Sequence, residues 1–352
     1  MLVNDEPIAE SEGIFFSVDF DVEVEESGTY YSNCNRRKHK GKRKICSRKC
    51  RVIYWNKSAN SSLQDGKIGT GGDHNLKNFI RLTDFTIEEI KQIFAIADES
   101  NHHKYDGCLK GKTAVMFFPN TSIRTRVSFE KGVYLLGGQT ILFPPETLDK
   151  KEKLQDVIGY LNNWADFIII RHRDINVIEE IAKFANVPVI NALTDINHPC
   201  EMLSDIYALS KIRDKITKDK FLFCGTDGNI GRAWKEASEV FGFELEQCCA
   251  EGYEIDGVAV CHDIEKAIVG KDIICTDSLP VSLADKFKDY RITKRLMEKA
   301  NRGAVLNPCP PFYRGEEVSQ DAIESEYFVG YAFKKYLLQV QQAIMIYCLN
   351  EM

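Results

Sequence analysis

Phe117-Phe118-Pro119-Asn120-Thr121-Ser122-Ile123-Arg124-Thr125-Arg126-Val127-Ser128-Phe129-Glu130 is the run on which the fold turns. Ahead of it, Lys112 to Phe118 is β-rich and apolar, the pattern of a buried strand. Pro119 and Asn120 break that pattern. Ser122 takes the N-cap position, and Val127, Phe129, Val133, Leu135 and Leu136 supply the apolar spacing of a following helix. A strand-turn-helix junction aims unpaired N–H groups and the positive end of a helix dipole at one spot. Two hydroxyls (Ser122, Thr125) and two guanidiniums (Arg124, Arg126) make that spot a cradle for phosphate. The bland alternative is a capped helix with solvated arginines.

Outward from this run the same grammar repeats. Thr86 to Asp98 reads as a helix with a Thr cap and Glu89 at the capping-box position. Gln139 to Phe143 is a strand stopped by Pro144-Pro145, and a polar, lysine-rich loop runs from Glu146 to Lys153. Helix follows from Leu154 to Trp164, strand from Asp166 to His172, helix from Ile178 to Phe184 and strand from Val187 to Ala192. Strands alternating with helices predict a parallel sheet covered on both faces. Glu201 to Ile212 reads as a long helix leading out of this first domain. A second α/β unit opens at Lys220-Phe-Leu-Phe-Cys-Gly, with a helix to Phe241 and strands at Gly257–Val260, Asp272–Thr276 and Ala304–Asn307. Tyr331 to Asn350 is an apolar-striped helix. The reading is therefore α/β, two doubly wound parallel-sheet domains linked by long helices, with domains at 76–208 and 209–330 and a final helix over 331–352.

Ligands of parallel sheets collect at the carboxyl ends of the strands. Four such ends carry polar residues: the cradle; Arg171 after Phe-Ile-Ile-Ile; Asn191 and then His198-Pro199; and the loop with Lys150-Lys151. A single histidine after a strand is more often structural than catalytic. The four together, in this order, converge.

Ser-Ile-Arg-Thr-Arg resembles the Ser-x-Arg-Thr-Arg carbamoyl phosphate signature of the aspartate/ornithine carbamoyltransferase family. Further matches run from about residue 76 to residue 349, most of them in the first half of that span. The resemblance implies transfer of a carbamoyl group from carbamoyl phosphate to an amino-acid amine, without metal or cofactor. It implies that Ser122, Thr125, Arg126 and the backbone N–H of Ile123 hold the phosphate, with Arg124 bridging phosphate and leaving oxygen. Arg171, Thr125 and His198 would polarise the carbonyl, His198 as a donor more than a base. It further implies a return of the final helix to the first domain, and a homotrimer or a multiple of one, with Lys150 reaching a neighbour's site.

Departures from the family pattern concentrate on the acceptor. After His-Pro-Cys the family usually has Gln, and this chain has Glu201, placed beside the carbamoyl amide. Asn307-Pro-Cys-Pro310 stands where ornithine enzymes carry His-Cys-Leu-Pro and aspartate enzymes His-Pro-Leu-Pro, so Cys309 lies one place on from the ornithine-type cysteine. Asp277 matches an aspartate that holds an ammonium, and Asn191 an asparagine that contacts the α-carboxylate. Acceptor contacts are thus expected from Asn191, Asp277, Cys309 and Pro310, and ornithine is favoured over aspartate. A modified ornithine, another amine or ureide, or a paralogue of little activity are the alternatives.

Two other classes compete. Gly225, Gly228 and Gly231 after a strand, with Glu244 and Glu246 downstream, suggest a nicotinamide enzyme, though the spacing is Gly-x-x-Gly-x-x-Gly. A non-catalytic binding paralogue is suggested by Glu201 and Asn307.

The chain has 352 residues, enough for two domains with large cores. Its net charge of −6 gives no pull toward nucleic acid or membrane. No apolar run reaches a membrane span and no secretory signal opens the chain, so the cytoplasm is the expected compartment. Twelve scattered cysteines read as reduced, buried residues, and the adjacent Cys248-Cys249 as unable to share one core. Residues 1–75 differ: nine acidic residues and no Lys or Arg in the first 26, then ten Lys or Arg between Asn33 and Arg51. That composition reads as a disordered acidic and basic extension. Cys34, His39, Cys46 and Cys50 lack paired zinc spacing, and the basic run lacks the aromatics of a nucleic-acid surface.

Overall fold

A computed structural model describes residues 77–100 and 103–349, and ahead of them only the backbone of short strand segments. Met1–His74 forms a compact unit of its own. Within it Ser17–Asp21 pairs antiparallel with Lys49–Ile53, setting Asp19 opposite Arg51 and Asp21 opposite Lys49. The zinc set considered above (Cys34, His39, Cys46, Cys50) lies outside the residues whose side chains are described.

The second unit holds two parallel sheets. In the first, β1 (Thr113–Phe117), β2 (Gln139–Phe143), β3 (Phe167–Arg171) and β4 (Val189–Leu193) run in the spatial order β4-β3-β1-β2. Every residue of β1 is buried, because both faces of the strand are covered. Alternation sorts the side chains. Met116, Ile169 and Ile190 face a core shared with Ile90 and Ile93 of α1 (Ile87–Ser100) and Phe129 and Val133 of α2 (Ile123–Leu135). Val115, Phe117, Ile168 and Ile170 face Ile158 of α3 (Leu154–Leu161) and Ile178 and Ile181 of α4 (Ile175–Phe184). The capping box on α1 forms as expected: Thr86 N–H donates to Glu89 Oε2 at 2.8 Å, and Glu89 N–H to Thr86 Oγ1 at 3.3 Å.

The second sheet runs β7-β6-β5-β8-β9, from β5 (Lys220–Cys224), β6 (Glu244–Cys248), β7 (Ala259–Cys261), β8 (Ile273–Thr276) and β9 (Val305–Pro308). Strand β6 was not expected from the sequence, where Glu244 and Glu246 were read only as acidic residues after a helix. Phe221, Phe223, Ile273 and Cys275 pack on Trp234 of α6 (Asn229–Phe241), while Leu222, Cys224, Ile274 and Leu306 face short helices on the other side. Cys248 and Cys249 are both fully buried, and of the two only Cys248 belongs to the core on that side of the sheet. None of the described cysteines is in a disulfide.

Two of the three glycines of the nicotinamide reading, Gly225 and Gly231, have a packing explanation. A Cβ on Gly225 would lie 2.8 Å from the Phe223 ring, and one on Gly231 would lie 2.6 Å from both Phe223 and Ile255. They make room for a core phenylalanine.

Two helices tie the lobes together. α5 (Pro199–Ser210) is buried from Pro199 through Leu209, since it lies within a single core that draws side chains from both sheets. The return helix, Tyr336–Leu349, packs on α1, α2 and α5, as the resemblance implied. It is buried nearly all round, and Gln342 Nε2 donates to Gly132 O of α2 at 3.2 Å. Its first turn differs from expectation: Tyr331–Lys335 is a 3₁₀ segment. Val127 and Leu135, two of the residues that gave α2 its apolar spacing, are 56% and 44% exposed. Phe129, Val133 and Thr125 form the inner face instead. Among the described residues, no helix is long and apolar enough to cross a membrane.

Candidate active site

The strand order of the first sheet reverses between β1 and β3, and ligands of such sheets bind at that reversal. The cradle follows β1 and Arg171 ends β3, so adjacent strands deliver both to one place. Ser122 does occupy the N-cap of α2, but its hydroxyl makes no cap bond. It accepts from Arg171 Nη1 at 3.0 Å, which fixes the guanidinium across the helix start. The Ile123 N–H, expected to face an anion, turns back to Thr121 O at 3.0 Å. Helix geometry leaves the N–H groups of Arg124 and Thr125 as the open donors. Thr125 is buried. Arg124 is exposed and lines a cavity of about 410 Å³ with Lys334, Pro308 and Pro310. Arg126 departs from expectation: its Nε pairs with Glu130 one turn on, at 2.8 Å.

The histidine after Arg171 is not part of this group. His172 is buried, with Nε2 3.0 Å from Asp149 Oδ1, and so pins the loop that carries Lys150. His198 is the N-cap residue of α5, and its Nδ1 is buried without a hydrogen-bond partner among the described residues. Burial pushes its pKa down to about 4, with Arg171 and Lys334 acting the same way and Glu201 opposing. The ring is therefore neutral at physiological pH. A neutral imidazole offers one N–H, which suits the donor role. Burial also lowers Arg171, within a range where guanidinium stays charged.

Glu201 is buried, and its Oε1 lies 2.6 Å from Lys334 Nζ. The same ammonium lies 2.6 Å from Asp205 Oδ1, and Asn307 Nδ2 donates to Asp205 Oδ2 at 2.9 Å. Neither Lys334 nor Asp205 was found from the sequence. A signal existed: two acids at i and i+4 on a helix this apolar require a cation. Its partner stands 129 and 133 residues away, in a Lys-Lys pair with the look of solvated surface.

On the acceptor side the placements diverge. Asp277 follows β8, at the order reversal of the second sheet. Burial pushes its carboxyl up to about 7, with Glu317 adding to the rise and only the Ser278 N–H opposing it at 2.8 Å. Cys309 is buried beside it, its thiol held well above the usual range by burial, so it is no thiolate. Pro310 lines the cavity. Asn191 does not reach the opening: it is fully buried, donating to Ile80 O at 2.9 Å and Asn197 Oδ1 at 2.8 Å.

Taken together, Arg171 is bonded to Ser122 at the start of α2, the neutral His198 ring lies within electrostatic reach of Arg171 and Lys334, and Arg124 and Lys334 share the cavity wall. Fixed donors of this kind stabilise an anion and the charge that develops on an adjacent carbonyl.

Comparison with known proteins gives the same assignment to both lobes. A family model described as aspartate/ornithine carbamoyltransferase, carbamoyl-P binding domain, matches residues 77–211. A second, aspartate/ornithine carbamoyltransferase, Asp/Orn binding domain, matches residues 218–348. The ornithine carbamoyltransferase of Desulfotalea psychrophila is 32% identical over 292 residues, covering 75% of this chain and 96% of the relative. The chloroplastic ornithine carbamoyltransferase of Pisum sativum is 31% identical over 325 residues, covering 83% and 84%. Among solved structures, ornithine carbamoyltransferase from Pyrococcus furiosus superposes with a TM-score of 0.73 at 29% identity, covering 77% of this chain and 96% of that one.

Proposed function

Because the chain belongs to the aspartate/ornithine carbamoyltransferase family and is a carbamoyltransferase, we propose that it carries the carbamoyl group from carbamoyl phosphate to ornithine, giving citrulline and phosphate. The observation that supports ornithine is Asp277. A carboxyl buried far enough to titrate near 7, with one N–H for company, is stabilised by a cation, and a basic amino acid brings one. The phosphate would lie on Arg124, Thr125 and Ser122 at the start of α2. Arg171 and His198 would donate to the carbonyl oxygen as the attacking amine turns it into a tetrahedral oxyanion. Departing phosphate takes the proton from the amine. The experiment is a screen of amines with carbamoyl phosphate, reading phosphate release.

The pH dependence follows with a definite sign. Below pH 7 Asp277 is mostly protonated, so the KM for ornithine is expected to rise about tenfold per unit of pH. Above 7 it should level off. Asp277→Asn should flatten the profile and leave the KM at its acid-side value; an unaltered break near 7 in that variant would reject the assignment.

A second acceptor is favoured by the cavity. Its wall carries Arg124, Arg314 and Lys334 with Phe312, Phe328 and Tyr331, and no carboxylate. That lining suits an ornithine bearing an acyl or anionic substituent, and the same screen separates the two.

We also propose a homotrimer. On α2 and the edge strand β2, Ile123, Val127, Tyr134, Leu135, Ile141 and Phe143 are exposed, and apolar side chains left open in this way suit an interface between subunits. Sedimentation is expected at about three times 40.1 kDa. Lys150, on the exposed loop after β2, is the residue proposed to reach a neighbour's site. A monomer in solution would remove both proposals.

A further inference from the structure

Glu201 and Asp205 are four residues apart on α5 and so share one face of it. Both are buried, at 6% and 3% exposure, and a lone buried carboxylate is costly. The Lys334 ammonium answers both at 2.6 Å. It arrives from the 3₁₀ turn just before the return helix, and Asn307 at the end of β9 completes the set from the second lobe. Three separate parts of the chain thus join in one hydrogen-bonded set, with Asn307 reaching it through Asp205, and the ammonium also lines the cavity beside Arg124. The carboxylates lie behind it.

We propose that Glu201 is a positioning residue: together with Asp205 it fixes the Lys334 ammonium at the cavity wall, and that cation, not the carboxylate, meets the carbamoyl phosphate anion. On this view Glu201 and Lys334 are one unit. The negative charge that the sequence placed beside an anionic substrate is cancelled within the protein before the substrate enters. Burial works against charge on Lys334, but Asp205 and Glu201 outweigh it and hold its pKa above the ordinary lysine value. Burial likewise opposes charge on Glu201, and there Lys334 and His198 outweigh it, so the pair is ionised. Burial raises Asp205, and Glu201 beside it adds to the rise, while Lys334 opposes both.

The inference rests on the carbamoyl-transfer reading above, and the test separates the two. Carbamoyl phosphate binding is measured by calorimetry on the full chain, for wild type, Glu201→Gln, Lys334→Gln and the double variant. Glu201→Gln is expected to weaken binding about 10- to 100-fold, with the acceptor KM unmoved. In the Lys334→Gln background the same change should add less than about threefold, because the residue it acts through has gone. Equal losses in both backgrounds would mean that Glu201 touches the substrate itself, and would overturn the proposal. So would an unchanged Kd with only a lowered Tm, the mark of a purely structural pair. If Lys334→Gln does not fold, Asp205→Asn serves instead. Asp205 anchors the same ammonium at 2.6 Å, so a loss comparable to that of Glu201→Gln is expected, and an unchanged Kd would count against the idea. Wild-type protein that binds no carbamoyl phosphate would reject the functional reading itself.

Discussion

Arg124→Ala is expected to abolish measurable carbamoyl phosphate binding while leaving the fold intact. The reasoning begins with where the side chain stands. Arg124 is exposed in the first turn of α2, lines the cavity, and has no hydrogen bond or salt bridge among the described residues. Removing it breaks no internal contact, so stability should stay within about 0.5 kcal/mol of wild type. The loss falls on the ligand, which forfeits a charge-assisted donor at a helix start. Arg126→Ala is the control. That guanidinium is already paired with Glu130 at 2.8 Å, so its removal should weaken binding far less. Calorimetry decides: unchanged affinity in Arg124→Ala, or equal losses in the two variants, would reject the assignment of the cradle.

His198→Ala should lower kcat by about 100- to 1000-fold, the usual cost of deleting one fixed donor to a developing oxyanion. Its sign with pH separates donor from base. Burial holds the ring's pKa at about 4, so its protonation is complete only in acid and the neutral form persists through the working range. Above about pH 5 the wild-type kcat should show no break that the variant lacks. A base titrating near neutrality would produce one. If His198→Ala erased a kcat break near pH 6.5, the donor role would fall.

The parts of this site that could be read in advance are those built by neighbours in sequence. The strand before Pro119, the N-cap position of Ser122 and the guanidiniums behind it all sit in one continuous run, Thr113 to Arg126. There, local propensity and the fold agree. The same holds for Arg171, which the end of β3 delivers beside the cradle. What local reading missed was set by distance. Arg126, expected on the phosphate, also has a partner one turn away in Glu130, which residue type alone did not reveal. Ser122 was expected to cap its own helix, and a guanidinium from the next strand took the hydroxyl. Asn191 was expected in the opening and is buried against Ile80 and Asn197. Lys334 could not be picked out at all, because its partners lie on another helix and its neighbour Lys335 is equally basic. Val127 and Leu135 supplied apolar spacing that marks the helix without saying which of its faces is buried. The surface of α2 keeps them exposed.

The Gln342–Gly132 contact and the packing of the return helix on α1, α2 and α5 bear on how the molecule is made. A ribosome produces β1 to β4 well before Tyr336–Leu349, with the whole second sheet in between. The nascent first lobe must therefore wait, with Phe129 and Val133 lacking a wall, until translation has passed the acceptor lobe. The lobe made first is thus the one completed last, by the helix that closes over α1, α2 and α5.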